Sequence, residues 1–233
     1  PKGGSEGKTQ VSFGASYGIK KVTKMTETLS PYEYAMYQYE LGSTDYGLYN
    51  DLDIWKSVKG TDYQDEIFGR TGNQTQYNVN VSGGSKSLKY SVSYAHNDEE
   101  SIMLGSGYNK DNINAKLNSE LNKWLTFDFN ARLSYQKVNG LSSGADTNES
   151  NAANSIVANS VRFRPITPLT NSSDDDESSS NTEYSPLDRL NATYKQTRKL
   201  SQYYNAALNW TPIKGLVFRT EFGYGWKHND TDQ

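Results

Sequence analysis

Cysteine is missing from all 233 residues, which removes disulfide frameworks, thiolate metal sites and cysteine nucleophiles and leaves the redox compartment open. Apolar residues are scarce. They make up 34% of the chain, the mean hydropathy is -0.84, and a generous central core is not expected. No run approaches the roughly 20 apolar residues of a membrane-spanning helix, and the opening PKGGSEGKTQ has no apolar signal core. Basic excess is lacking too: a net charge of -3 gives no cationic stripe, so nucleic acid is not an expected partner. His96 and His228 are the only histidines, and neither has carboxylates nearby at ligand spacing, so polar surface roles suit them better than metal or catalytic ones. The segment GGSEGKT has three residues between Gly3 and Gly7 where a phosphate-binding loop needs four. No nucleophile, base and orienting partner can be assembled, so neither enzymatic activity nor a cofactor is expected.

What the chain does have is aromatic residues, 18 of them Tyr against 7 Phe, and alternation with a period of two. Tyrosine suits surfaces that are apolar on one side and wet on the other. From Gln10 to Lys20, Val11, Phe13, Ala15, Tyr17 and Ile19 alternate with polar or small residues, which puts one set on each face of a strand. Tyr77, Val79 and Val81 alternate before Gly83 and Gly84 supply a turn, and Leu88, Tyr90, Val92 and Tyr94 continue on the way back. Two more hairpins follow, around Asn122–Lys123 and around TPIKG. The pattern predicts seven strands, near 9–20, 75–82, 87–96, 110–119, 124–136, 200–210 and 215–226.

Short turns near Gly83, Asn122 and Pro212 alternate with long connections, roughly 21–73, 96–109 and 137–199. In an up-and-down meander every second connection lies at the same end. Short turns at one end and long loops at the other are the layout of an outer-membrane barrel. Ser30, Pro31 and Glu33 predict a capped helix start in the first long loop, with Gly42 as its stop and Tyr32, Ala35, Met36 and Tyr39 on one face. A second helical stretch is predicted over 151–162, with Ala153, Ile156 and Val157 on one side. The run Asp174, Asp175, Asp176 and Glu177 reads as a solvated loop before a cation site.

A soluble extracellular β-sandwich that binds glycan alternates in the same way, with its apolar face on a core. Three features favour the barrel. The apolar face is read as free of Asp, Glu, Lys and Arg over all seven strands, where one such charge at mid-bilayer costs about 2–4 kcal/mol. Aromatics such as Tyr77, Trp124, Trp210 and Trp226 gather toward strand ends. The loop asymmetry is the third. Seven strands do not close a barrel, so the chain is expected to be part of a longer protein. Asp128, Arg132, Arg219 and Glu221 are expected on the lumen side, and Tyr46, Tyr49, Trp55 and Tyr184 are weak candidate loop aromatics for substrate contact, with packing within the loops as an equal alternative.

The run TDYQDEIFGRTGNQTQYNVNVSGGSKSLKYSVSYAHNDEE, preceded by GSEGKTQVSFGASYGIK and followed by LNKWLTFDFNARLS, resembles the SusC/RagA family of TonB-dependent outer-membrane transporters. It departs from that family's usual Trp at Tyr63 and from its common Gly at Ser101. The resemblance implies an all-β, antiparallel transmembrane barrel of about 22 strands, of which this chain would supply the first seven. It also implies an N-terminal plug, a SusD-like surface lipoprotein as partner, energy from TonB through a segment outside this chain, and an oligosaccharide or peptide as cargo.

Overall fold

The computed structural model describes residues 6–42, 49–140, 156–166 and 184–232. Seven strands form one sheet in chain order: β1 (Gly7–Lys20), β2 (Gly72–Gly84), β3 (Leu88–Glu100), β4 (Gly107–Asn122), β5 (Leu125–Asn139), β6 (Gln196–Ile213) and β7 (Leu216–Asp232). Every pairing is antiparallel and joins sequence neighbours, so the sheet is an up-and-down meander. Among the described residues no second sheet covers either face, and these strands do not form a sandwich. Val11, Phe13 and Phe222 each remain 68% exposed.

The register sorts side chains by face across the whole sheet. Val11, Val81, Val92, Ala115, Ala131, Tyr204 and Tyr224 share one hydrogen-bonded row. One residue along, Ser12, Asn80, Ser93, Asn114, Arg132, Tyr203 and Gly225 share the next, on the opposite face. On β5 the apolar stretch from Leu125 to Tyr135 covers about 33 Å along the strand. Tilted by about 40°, that is about 25 Å, the height of the apolar band of a transmembrane barrel. The band also runs diagonally: Ile19 on β1 shares a row with Asn73 and Glu100, as strands inclined to the membrane normal require. Stacked pairs mark its ends, Trp210 with Phe218 at 5.4 Å on the turn side and Tyr77 with His96 at 6.2 Å on the loop side.

Two expectations need correction. The apolar face is not free of charge over the whole strands: Asp111 shares it with Ile113, and Asp98, Glu100, Lys137, Arg198 and Asp230 lie on it as well. All of these lie toward the loop end. Strands of up to 18 residues exceed the roughly 9–11 that a bilayer needs, so their upper parts stand in water, where charge on either face is tolerated. For the same reason the connection after His96 shortens to 101–106, because Asn97–Glu100 still pair with Gly107–Lys110 although their hydropathy no longer alternates.

The first tight turn also lies further on than Gly83 and Gly84, which end β2. It is closed at Ser85, whose N–H donates to the Leu88 carbonyl at 2.7 Å and whose Oγ accepts from the Leu88 N–H at 3.2 Å. Gly84 is needed because a Cβ there would stand 2.4 Å from the Leu88 carbonyl oxygen. At the last turn Gly215 takes φ +90°, a conformation open to glycine at little cost.

The long connections carry five short helices: α1 (Pro31–Glu40), α2 (Leu52–Trp55), α3 (Tyr63–Phe68), α4 (Ile156–Arg162) and α5 (Pro186–Ala192). In α1 the Ser30 Oγ accepts from the Glu33 N–H and the Glu33 carboxylate accepts from the Ser30 N–H, a reciprocal cap. Of the face expected to pack, Ala35 is buried and Tyr32 half-buried, whereas Met36 and Tyr39 are exposed. In α4, Ile156 packs inward and Val157 does not; Ala153 lies outside the described residues. Two small cores join the loops: Ala35, Tyr49, Trp55 and Ile166 form one, and Ile67, Met103, Ile156 and Leu190 form the other.

Candidate functional site

The polar face carries a continuous hydrogen-bonded network across β4 to β7. Asp128 accepts from the amides of Asn118 and Asn209, the latter at 3.0 Å, and lies 3.7 Å from the Arg219 guanidinium. Arg219 also reaches Glu221 at 3.1 Å and the Asn209 Oδ1 at 3.1 Å, and Asn205 donates to Glu221 at 2.7 Å. Register puts Arg132 on the same face, in the row of Asn114 and Tyr203. All four charged residues singled out from the sequence thus share one face, and three of them touch.

Beside this network lies a cavity of about 510 Å³, lined among others by Asn130, Arg132, Tyr203, Asn205, Gly223 and Gly225. The two glycines provide its depth. A Cβ at Gly225 would stand 3.1 Å from the Tyr203 ring, so the ring lies over the bare backbone. A second recess of about 350 Å³ shares Asn130 and Asn205 and adds Lys89, Lys116, Asn118 and Asp128.

At the loop end the segment Asp62–Arg70 acts as a hub. Asp62 caps α3 by accepting from the N–H groups of Gln64 and Asp65. The buried Gln64 side chain donates to the Thr26 carbonyl at 2.7 Å and accepts from the Thr26 N–H at 3.1 Å. Arg70 donates twice to the Ser101 carbonyl, at 2.8 and 2.6 Å, and the Ile67 carbonyl accepts from the Leu104 N–H at 2.9 Å. One short motif therefore pins the first and second loops together. Ser101 keeps its loop closed by accepting from the Met103 N–H at its Oγ. Tyr63 meets Phe163 edge to face at 5.2 Å, and burial pushes its phenol upward from its ordinary value.

Of the four loop aromatics, Tyr46 lies outside the described residues. Tyr49 and Trp55 take the loop-packing alternative: both are buried in the first loop core, where their rings face Tyr34, Ala35 and each other rather than open water. Tyr184 is 65% exposed. The acidic run Asp174–Glu177 also lies outside the described residues, and among those described no cluster of acidic or histidine side chains could hold a metal ion. The Asp111 carboxylate accepts from the His96 Nδ1–H at 2.8 Å on the outward face. Sequence reading missed a cavity of about 310 Å³ between the first and third loops, lined among others by Tyr34, Tyr37, Tyr63, Arg162 and Phe163.

No protein-family model matches the chain. TonB-dependent receptor P39 of Formosa agariphila is 28% identical over 196 residues, 82% of this chain and 18% of that protein. TonB-dependent receptor SusC of Bacteroides thetaiotaomicron is 31% identical over 138 residues, 59% of this chain and 13% of that protein. The structure of the RagAB peptide importer in its open-open state superposes with a TM-score of 0.72 at 18% identity, covering 99% of this chain and 29% of that one; the closed-closed state gives 0.68. The chain spans between 13% and 21% of the length of the curated relatives it matches. In sequence the chain is similar to TonB-dependent receptors, SusC among them, and in fold to part of the RagAB peptide importer, so the seven-stranded sheet is read as a stretch of outer-membrane β-barrel.

Proposed function

We propose that the chain is part of the wall and outer mouth of an active importer that brings oligosaccharides or peptides across the outer membrane. The segregated sheet carries this reading: one face offers acyl chains an apolar band of about 25 Å, and the other presents amides and paired charges to an aqueous lumen. Cargo binding and passage need no covalent chemistry from these residues. A plug domain closes the lumen, TonB supplies the energy through a segment outside this chain, and a SusD-like lipoprotein covers the loops. Tyr184 and the cavity beside Tyr63 are the loop surfaces best placed to meet cargo, while Tyr49 and Trp55 hold the loops together.

Uptake of labelled oligosaccharides and peptides by cells with the full receptor, compared with cells lacking the receptor or TonB, tests the proposal. Transport of at least one cargo class should require both. Accumulation indifferent to either loss would overturn it.

A further inference from the structure

Charge is sorted between the two faces of the sheet in a way that the net charge of -3 does not foreshadow. On the polar face Lys20 pairs with Glu99 at 2.7 Å, and Arg219 is neutralised by Asp128 and Glu221. Beyond these pairs, Lys89, Lys110, Arg132, Lys199 and Lys227 all stand on that face by register, against the single further carboxylate Glu120. The upper part of the outward face has the opposite bias, with Asp98, Glu100, Asp111 and Asp230 against Lys137 and Arg198.

The excess cations border the two joined recesses. Lys89 lines the smaller one, Arg132 the larger, and Lys227 stands 5.7 Å from the Tyr203 ring that roofs the Gly225 backbone. The amides of Asn130 and Asn205 are common to both. Amides and one ring face suit hydroxyl-rich or peptide-like chains, and the cations add attraction for negative charge in a confined channel, where fields are focused.

Resting on the importer reading, we infer that the cargo is anionic, an oligomer bearing carboxylate or sulfate groups, and that this basic sector of the lumen wall selects it. Uronate or sulfated sugars and acidic peptides share this chemistry. The test uses the full receptor in outer-membrane vesicles, with matched pairs of labelled cargo: neutral and carboxylated oligosaccharides of equal length, and neutral and acidic peptides of equal length.

In at least one pair the anionic member should be taken up about tenfold better at low salt, and the preference should shrink as salt rises. The combined variant Lys89→Gln, Arg132→Gln and Lys227→Gln should lower the anionic-to-neutral ratio by a similar factor. Equal uptake within both pairs would overturn the inference and leave the importer reading standing, whereas no uptake of any cargo would remove both. A variant that loosens the plug against urea without changing the ratio would also overturn it, by assigning the cations to plug retention.

Discussion

The Gln64 side chain holds the Thr26 backbone at both its donor and its acceptor, with 3.1 Å to the N–H and 2.7 Å to the carbonyl. Gln64 is buried, and residue 26 lies in a stretch with no helix or strand of its own, so the side chain substitutes for a missing ladder. Replacing Gln64 by Leu leaves two backbone groups unpaired at a cost of about 1–3 kcal/mol each. The effect should be local. Hydrogen exchange of residues 22–30 in the full receptor is expected to speed up while the strand amides keep their protection; unchanged exchange there would contradict the assigned role.

Gly84 and Gly18 form a matched pair. A Cβ at Gly84 would meet the Leu88 carbonyl at 2.4 Å and the Lys89 Cα at 2.8 Å, both backbone, whereas at Gly18 nothing lies within 4 Å. Gly84→Ala should therefore distort the first hairpin at a cost of about 1–3 kcal/mol, and Gly18→Ala should lie within about 0.5 kcal/mol of the parent. Heat-modifiable migration on gels reports the folded fraction of the full receptor. It should fall for the first variant alone.

The reciprocal cap on α1 makes a pH-dependent prediction. The Ser30 backbone N–H, and then its side chain, hold the Glu33 carboxyl below its ordinary value of 4.5. A depressed value in the folded state means that the stabilisation is complete above the unfolded value and is lost as pH falls through the folded one. Proteolysis within 31–40 by an acid-active protease should accelerate below about pH 4.5, and Glu33→Gln should flatten that dependence. A parent profile already flat between pH 6 and 3 would remove the cap from the account.

Seven strands were legible because the membrane enforces the signal: within the bilayer a strand must be apolar outside, so Leu125, Phe127, Phe129, Ala131 and Leu133 alternate cleanly. Above the bilayer that pressure ends, and the pairing of Asp98 with Asn109 or of Lys137 with Arg198 left no periodic trace. The loop cores were invisible for another reason. Trp55 packs with Ile166, and Ile67 with Leu190, partners more than a hundred residues apart, so no local pattern announces which loop side chains are buried. One signal was available and not used: Ser185, Pro186 and Asp188 repeat the spacing of Ser30, Pro31 and Glu33 and cap α5 in the same way. The side of the sheet on which Asp128, Arg132, Arg219 and Glu221 stand followed from parity alone, but the contact of Arg219 with Asp128 also needs the β5–β6–β7 register.

The orientation of the sheet is testable at adjacent faces of one strand. Phe129 stands on the apolar face in the row of Leu117 and Ala206, near the middle of the Leu125–Tyr135 band, whereas Ser134 stands on the polar face between Asn112 and Ser201. Phe129→Arg puts a charge into hydrocarbon at a cost of about 2–4 kcal/mol. Ser134→Arg puts the same charge into a wet lumen that already holds Arg132 one pleat away, and should cost well under about 1 kcal/mol. In urea titrations of the full receptor folded into lipid vesicles, the first variant should lose stability by that margin and the second should overlay the parent. The reverse order would mean that the amide-rich side faces the acyl chains, which would leave its hydrogen-bonding groups against hydrocarbon without water.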